Sequence, residues 1–157
     1  MRDATQQPAT ISDETARQIR AHAEDCYPSE CCGLVFESDV TFDGGVRHCT
    51  NVQERLHQED PEGFPRTARH AFRLADADQL LLARSFDSEH PVRVLYHSHI
   101  DCAARFSPAD LAGTSIDGEP LYPDLLHLVV AVREGVAGEM VLFRLTRDGA
   151  AEIWRSA

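Results

Sequence analysis

Lysine is absent from this sequence of 157 residues, so all 15 basic residues are arginine. Acidic residues number 26, which gives a formal net charge of -11 at pH 7. A field of that sign repels phosphate backbones and anionic headgroups, so nucleic acid and membrane surfaces are poor candidate partners. The lack of lysine has two explanations that both remain open. One is coding bias combined with adaptation to high salt. The other is that a protein acting on lysine conjugates gains by having no lysine of its own.

Long hydrophobic runs are also missing. No stretch approaches the roughly 18 apolar residues that a spanning helix needs, and residues 1–20 hold no apolar core of a signal peptide. We therefore expect a cytoplasmic protein. A chain of 157 residues with 43% apolar composition is enough for one core, so we expect a single domain over residues 1–157.

Paired cysteine motifs are absent as well. The five cysteines are odd in number and include no CxxC, which excludes a secreted disulfide framework and a thiolate zinc knuckle. We expect reduced thiols that pack as small hydrophobic side chains. Cys31 and Cys32 are adjacent, so in a strand they would point to opposite faces.

The remaining pattern predicts a mixed α/β layer fold, because helices are interspersed among short apolar strands. Thr10 or Ser12 can cap the first helix, and Pro28 forbids its continuation. Polar residues 53–69 contain two prolines and show no period, so we predict a long binding loop there. Predicted helices cover residues 13–25 and 76–86. Predicted strands cover residues 32–36, 46–52, 71–74, 92–96, 125–132, 140–145 and 151–154, with turns at 44–45, 138 and 148–149.

Candidate ligands for a metal follow the central predicted strand directly. His97 and His99 are two residues apart and therefore share one face of an extended segment. Ser107, followed by proline, is a good helix start, and Asp110 lies one turn further on. Each residue alone has an ordinary structural explanation, such as a solvated histidine or a helix cap. Together, at the end of a strand, they match the three ligands of a catalytic zinc with an open fourth position.

These residues carry a family resemblance. His97, His99, Ser107 and Asp110 reproduce the spacing HxH, seven residues, S, two residues, D of the JAMM (MPN-plus) metalloprotease family. That family also has a catalytic glutamate upstream at the start of a strand, and the segment PSECCGLV places Glu30 at the matching position. The sequence resembles the short bacterial members over most of its length.

The resemblance implies a single MPN domain with a mixed, curved β-sheet flanked by helices, layered as in cytidine deaminases. It implies Zn²⁺ held by His97, His99 and Asp110. By the same resemblance, Glu30 takes the proton of the metal-bound water and passes it to the leaving amine. Ser107 then donates a hydrogen bond to the oxyanion.

The implied substrate is a peptide or isopeptide bond after the C-terminal Gly-Gly of a ubiquitin-like or sulfur-carrier protein, which is the expected partner. Such a tail would lie beside the sheet as an added strand, with residues 53–69 as its wall. Arg66 and Arg69 in that segment are candidate contacts to an acidic carrier surface.

Two departures from the family pattern are plain. Ile100 stands where the family usually has proline, so we expect a less rigid turn with the metal ligands retained. Residues 111–124 are short compared with the insertion by which eukaryotic deubiquitinases grip ubiquitin, which argues against polyubiquitin.

Alternatives remain beside this reading. The main one is a catalytically silent MPN-type scaffold that binds a ubiquitin-like partner. A zinc deaminase lacks support because its H-x-E and P-C-x-x-C signatures are missing. A TIM-barrel hydrolase would need about 250 residues.

Overall fold

A computed structural model describes residues 9–37 and 45–156. Its core is a six-stranded sheet in the order β2-β1-β3-β6-β7-β8, in which β3 and β6 are parallel and all other neighbours are antiparallel. The helices are α1 (Asp13–Cys26), α2 (Gln53–Glu59), α3 (Asp76–Ser85) and α4 (Pro108–Thr114). The strands are β1 (Cys32–Phe36), β2 (Val46–Cys49), β3 (Val92–Ile100), β4 (Ser115–Ile116), β5 (Glu119–Pro120), β6 (Leu126–Arg133), β7 (Val136–Thr146) and β8 (Gly149–Arg155). The predicted mixed α/β architecture is confirmed.

Helix α1 covers one face of this sheet. Ser12 is its N-cap, because its Oγ accepts a hydrogen bond from the backbone N–H of Thr15 at 3.1 Å. Ile19 and Ala23 are fully buried in the cluster that joins the helix to the sheet. The predicted helix 13–25 is thus confirmed to within one residue. No helix within residues 9–37 and 45–156 is long and apolar enough to cross a membrane.

The alternation of side chains along β3 separates the two faces of the sheet. Tyr96 joins the α1 cluster, whereas Leu95 joins the cluster with Leu82 of α3. The same alternation divides the adjacent cysteines, since Cys31 packs in the first cluster and Cys32 in the second. All five cysteines are free thiols, but Cys102 is exposed rather than packed as a small hydrophobic side chain.

Strand β3 is longer than predicted. It continues to Ile100, so the two histidines lie inside the strand rather than after it. The reason is non-local: β6 pairs in parallel with β3 as far as the register Ile100↔Val132 and supplies the hydrogen bonds of the added residues. Both imidazoles therefore sit on a segment of β3 that is paired with β6.

The prediction of a continuous loop over residues 53–69 is wrong in its first half. Helix α2 occupies Gln53–Glu59, because this stretch consists mostly of good helix formers and both prolines come after it. The predicted strand at 71–74 is also wrong. The Asn51 side chain donates to Ala71 O and accepts from the backbone N–H of Arg73, and a single bridge joins Asn51 to Leu74. Hydrogen bonds to the Asn51 side chain thus replace the backbone hydrogen bonds that a strand at 71–74 would form.

Smaller boundary errors have local causes. Gly138 lies within β7, and the turn before it is formed by Glu134 and Gly135, with φ of 49° and 82°. Positive φ at both central residues is typical of the tight turn that matches strand twist. The second predicted strand ends at Cys49 rather than at residue 52. In the predicted helix 76–86, Leu82 is buried whereas Leu80 is 48% exposed. Of the predicted turn at 44–45, residue 44 lies outside the described residues.

Candidate functional site

The three predicted metal ligands converge on one point. His97 Nε2 lies 3.2 Å from His99 Nε2, and Asp110 Oδ2 lies 3.3 Å and 3.1 Å from these two nitrogens. A tetrahedral zinc with bonds of about 2.0–2.1 Å places its ligand atoms roughly 3.3–3.4 Å apart. The separations of the donor atoms therefore fit a tetrahedral metal ion with three protein ligands. They form the one group of this kind within the described residues.

The start of α4 positions Asp110. Ser107 is the N-cap, and its Oγ accepts a hydrogen bond from the backbone N–H of Asp110 at 3.1 Å. In return, the backbone N–H of Ser107 donates to Asp110 Oδ2 at 2.9 Å, which completes a capping box. Within the described residues the hydroxyl hydrogen of Ser107 has no recorded acceptor, so it remains available for donation.

The two histidines differ in their surroundings. His99 Nδ1 lies 3.1 Å from the carbonyl oxygen of Ala103, a contact that favours the tautomer with the proton on Nδ1 and leaves Nε2 free to bind a metal. His97 is 1% exposed and stacks on Phe72 at 4.5 Å. Burial lowers the pKa of His97, and the Asp110 charge opposes this shift only in part. A neutral imidazole is the form that binds zinc.

Asp110 stays ionised in this setting. Burial alone would raise its pKa, but its contacts with His97 and His99 and the hydrogen bond from the backbone N–H of Ser107 outweigh burial and lower it. The carboxylate is thus present as an anion at neutral pH, as a ligand must be. Metal binding by these residues needs no protonation change at Asp110.

Glu30 is a buried carboxyl group near this centre. It is 5% exposed, and its Oε1 has no hydrogen-bond partner in the described part of the chain. Burial, and to a smaller extent the charge of Asp110, raise the pKa of Glu30 to about 9, although Arg66 opposes both. An unpaired carboxyl group with a raised pKa is a candidate proton carrier.

The backbone of Glu30 is fixed on both sides. Its N–H donates to Ala68 O at 2.8 Å, and its carbonyl accepts from Asn51 Nδ2 at 2.9 Å. The next residue, Cys31, donates its N–H to Ser98 Oγ at 2.7 Å. Sequence reasoning did not identify Asn51 or Ser98. Ser98, between the two histidines, carries a signal in hindsight, because alternation along the strand places its side chain on the sheet face opposite to the two imidazoles.

Asp101, directly after Ile100, joins three segments around the site. Its carboxylate accepts from Tyr27 Oη at 2.9 Å, from Arg69 Nη2 at 2.8 Å and from the backbone N–H of Glu134 at 2.7 Å. The same residue has a positive φ of 53°. The turn that lacks the family proline is therefore held by side-chain hydrogen bonds. Arg69 is engaged within the protein rather than left free for a partner.

His127 on β6 is a buried imidazole that the sequence prediction missed. It lies opposite Leu95 in the sheet, is 3% exposed and contacts the ring of Phe106. Burial, and to a smaller extent the neighbouring His97, lower its pKa to about 3, although Asp110 opposes both. His127 is therefore neutral at physiological pH. Its place on an apolar strand gave no signal in the sequence.

Comparisons with known proteins show the family and the fold. The family model for prokaryotic homologs of the JAB domain matches residues 12–146. The solution structure of a Desulfitobacterium hafniense protein has a TM-score of 0.64 at 20% identity and covers 92% of this chain and 88% of its own. That of a Salinibacter ruber protein has a TM-score of 0.58 at 25% identity, with coverage of 91% and 87%. No curated protein matches the chain.

Proposed function

The chain belongs to the family of prokaryotic JAB-domain homologs, and from this premise we propose that it is a zinc-dependent peptidase or isopeptidase. The bond that it hydrolyses follows the C-terminal Gly-Gly of a ubiquitin-like or sulfur-carrier protein. The observation that carries the proposal is the convergence of His97 Nε2, His99 Nε2 and Asp110 Oδ2 within 3.3 Å of one another. Such a ligand set leaves one tetrahedral position open, as catalytic zinc requires.

The chemistry divides between metal and protein. His97, His99 and Asp110 would hold a zinc ion, which would lower the pKa of water to about 7 and polarise a carbonyl group. The charge of that ion would lower the pKa of Glu30, so that its carboxylate, whose Oε1 has no partner within the described residues, would accept the proton of the attacking water. The same carboxyl group then gives that proton to the leaving amine, so hydrolysis adds one water across the C–N bond.

Ser107 supports the oxyanion. Its Oγ already accepts from the backbone N–H of Asp110, so the hydroxyl hydrogen is the part left for the carbonyl oxygen of the scissile bond. Loss of one such donor in other hydrolases lowers kcat about 100- to 1000-fold. The capping box holds this hydroxyl group and the ligand Asp110 in one rigid unit.

The test is incubation of the zinc-loaded protein with the Gly-Gly-tailed carriers of its own genome, each extended by a C-terminal peptide or joined to a lysine. Intact mass reads out cleavage. We expect loss of the extension with the wild type and none with Glu30→Gln, which retains the metal ligands. Tight binding of a carrier without cleavage would instead support the silent scaffold and contradict the peptidase.

A further inference from the structure

Asn51 lies between β2 and α2, and its side-chain amide uses its full hydrogen-bonding capacity. Its Nδ2 donates to Glu30 O at 2.9 Å and to Ala71 O at 3.1 Å. Its Oδ1 accepts from the backbone N–H groups of Gln53 and Arg73, both at 3.0 Å. An asparagine side chain has no more than two donor hydrogens and two acceptor positions. The amide therefore ties its own chain segment to two others that are distant in sequence.

The first of these distant segments carries Glu30, the proposed proton carrier. Its side chain is 5% exposed, and Oε1 has no hydrogen-bond partner among the described residues. A permanent donor on this oxygen would stabilise the anion and so weaken it as a proton acceptor. With no such donor, the restraints on the carboxyl group are those on the backbone of Glu30. Its carbonyl accepts from Asn51, and its N–H donates to Ala68 O at 2.8 Å.

The second distant segment carries Phe72, which covers one of the metal ligands. The Phe72 ring stacks on that of His97, with centroids 4.5 Å apart and planes inclined by 22°. A metal-binding histidine usually donates its second ring N–H to a carbonyl or carboxylate, which orients the ring. His99 has such a partner in Ala103 O, whereas His97 Nδ1 has none within the described chain. The stacked Phe72 ring is thus the contact that can orient His97 in place of a hydrogen bond.

We propose that Asn51 is a positioning residue for two parts of the site, namely the backbone of Glu30 and the Phe72 ring that orients His97. The amide binds the residues on either side of Phe72, so the backbone that carries this ring cannot move away without breaking a hydrogen bond. The inference rests on the proposed function for the role at Glu30. The role at His97 concerns the shape of the metal site and is independent of turnover.

Asn51→Asp separates this role from a contribution to stability alone. Aspartate has nearly the same shape and keeps both acceptor bonds, but an ionised carboxylate cannot donate to the two carbonyl groups. Asn51→Ser, which adds no charge, takes its place if the carboxylate prevents folding, and the same losses are expected.

Ser85→Ala is the matched control. Ser85 is also buried, and its hydroxyl group joins two backbone segments by donating to Leu82 O at 2.7 Å and accepting from the N–H of Val92 at 3.0 Å. Val92 is the first residue of β3, whereas the two histidines lie toward the other end of this strand. The control therefore removes a comparable buried contact without touching the candidate site.

The contact between the Phe72 and His97 rings is measured first, by NMR of the metal-free full-length chain. We expect nuclear Overhauser effects between the two rings, and ring-current shifts at His97, in the wild type and in Ser85→Ala. Asn51→Asp should lose the Overhauser effects and most of the ring-current shift. Phe72→Leu supplies the reference spectrum without the aromatic ring. Ring contacts that are unchanged in Asn51→Asp would overturn the proposal.

Affinity for zinc, measured by competition with a chelator, is the second readout. Loss of a group that orients a metal ligand typically costs about 10- to 100-fold in metal affinity or activity. We therefore expect Asn51→Asp and Phe72→Leu each to bind zinc at least about tenfold more weakly. Phe72→Tyr, which keeps an aromatic ring, should restore the affinity. Wild-type affinity in Asn51→Asp, or an equal loss in Ser85→Ala, would overturn the proposal.

Turnover at saturating zinc separates this inference from the proposed function. Because excess metal does not correct the position of Glu30, kcat of Asn51→Asp should stay at least about tenfold below that of the wild type. The loss should fall on kcat more than on KM, and Ser85→Ala should match the wild type in both. A wild-type kcat in Asn51→Asp would overturn the role at Glu30. If the wild type cleaves no carrier, the peptidase is contradicted, whereas loss of ring contacts and zinc affinity in Asn51→Asp still supports the role at His97.

Discussion

Substitution of Glu30 by glutamine should stabilise the metal-free protein at neutral pH. Burial raises the pKa of this carboxyl group from 4.5 to about 9. Between these two values the unfolded chain is ionised while the folded chain keeps the proton, so the group destabilises the fold increasingly as pH rises. Each pH unit above 4.5 lowers the free energy of unfolding by about 1.4 kcal/mol, and the loss reaches about 3 kcal/mol at pH 7. Glutamine has nearly the same shape and no charge to bury.

The assay is urea denaturation of wild type and Glu30→Gln in the presence of a chelator, from pH 5 to pH 8. We expect similar stability at pH 5 and an advantage of about 3 kcal/mol for the variant near pH 7. Glu59→Gln is the matched control, because its side chain is 60% exposed on α2 and should follow the wild-type curve. Parallel pH dependences of wild type and Glu30→Gln would refute the reasoning, since all other titrating groups are common to both.

Four further predictions follow from the geometry. His97→Ala and Asp110→Ala should each lose the bound zinc in metal analysis, and a full equivalent in both variants would contradict the ligand assignment. Ser107→Ala should lose about 1 kcal/mol of stability with its cap but turn over at least about 100-fold more slowly in single-turnover assays; an unchanged rate would leave it a cap only. Burial lowers the pKa of His22 from 6.5 to about 4. The unfolded chain therefore binds a proton at a higher pH than the folded chain, and the free energy of unfolding falls as the pH drops from 6.5 to 4. The wild type should therefore lose more stability than His22→Phe on acidification over that range, and equal losses in denaturation curves would contradict this. Asp101→Ala should lower Tm and kcat together while zinc remains bound, because it releases hydrogen bonds to three segments; an unchanged kcat would limit its role to stability.

The ligand set was predictable because its spacing is local. Two residues on one strand face and a carboxylate one turn into a capped helix are fixed by the geometry of single elements. The structure adds that β3 extends through both histidines. Glu30 was identified only through the family resemblance, since nothing in its own surroundings in sequence distinguishes it from a surface carboxylate.

What the sequence did not predict depends on contacts between distant residues. Asn51 reaches Glu30 across 21 residues, and Ser98 reaches Cys31 across 67. Helix α2 was missed because seven residues are too few for a visible period. A cavity of about 390 Å³ beside Asp110 was also missed. Its lining comes from α3, α4, β3 and β6, and no single one of these elements carries a sequence signal for it.

The positions of the unsatisfied polar atoms indicate that the residues of this site are explained by its function rather than by their contribution to stability. In the described part of the chain two buried side-chain atoms lack any hydrogen-bond partner, Glu30 Oε1 and His97 Nδ1. Each such atom costs about 1–3 kcal/mol. By contrast, buried His22 forms a 2.7 Å hydrogen bond with Tyr96. A sequence selected only for stability would replace Glu30 with an apolar residue or give it a donor. A carboxyl group kept buried and unpaired beside three converging ligand atoms is better explained by a proton that it must accept and release.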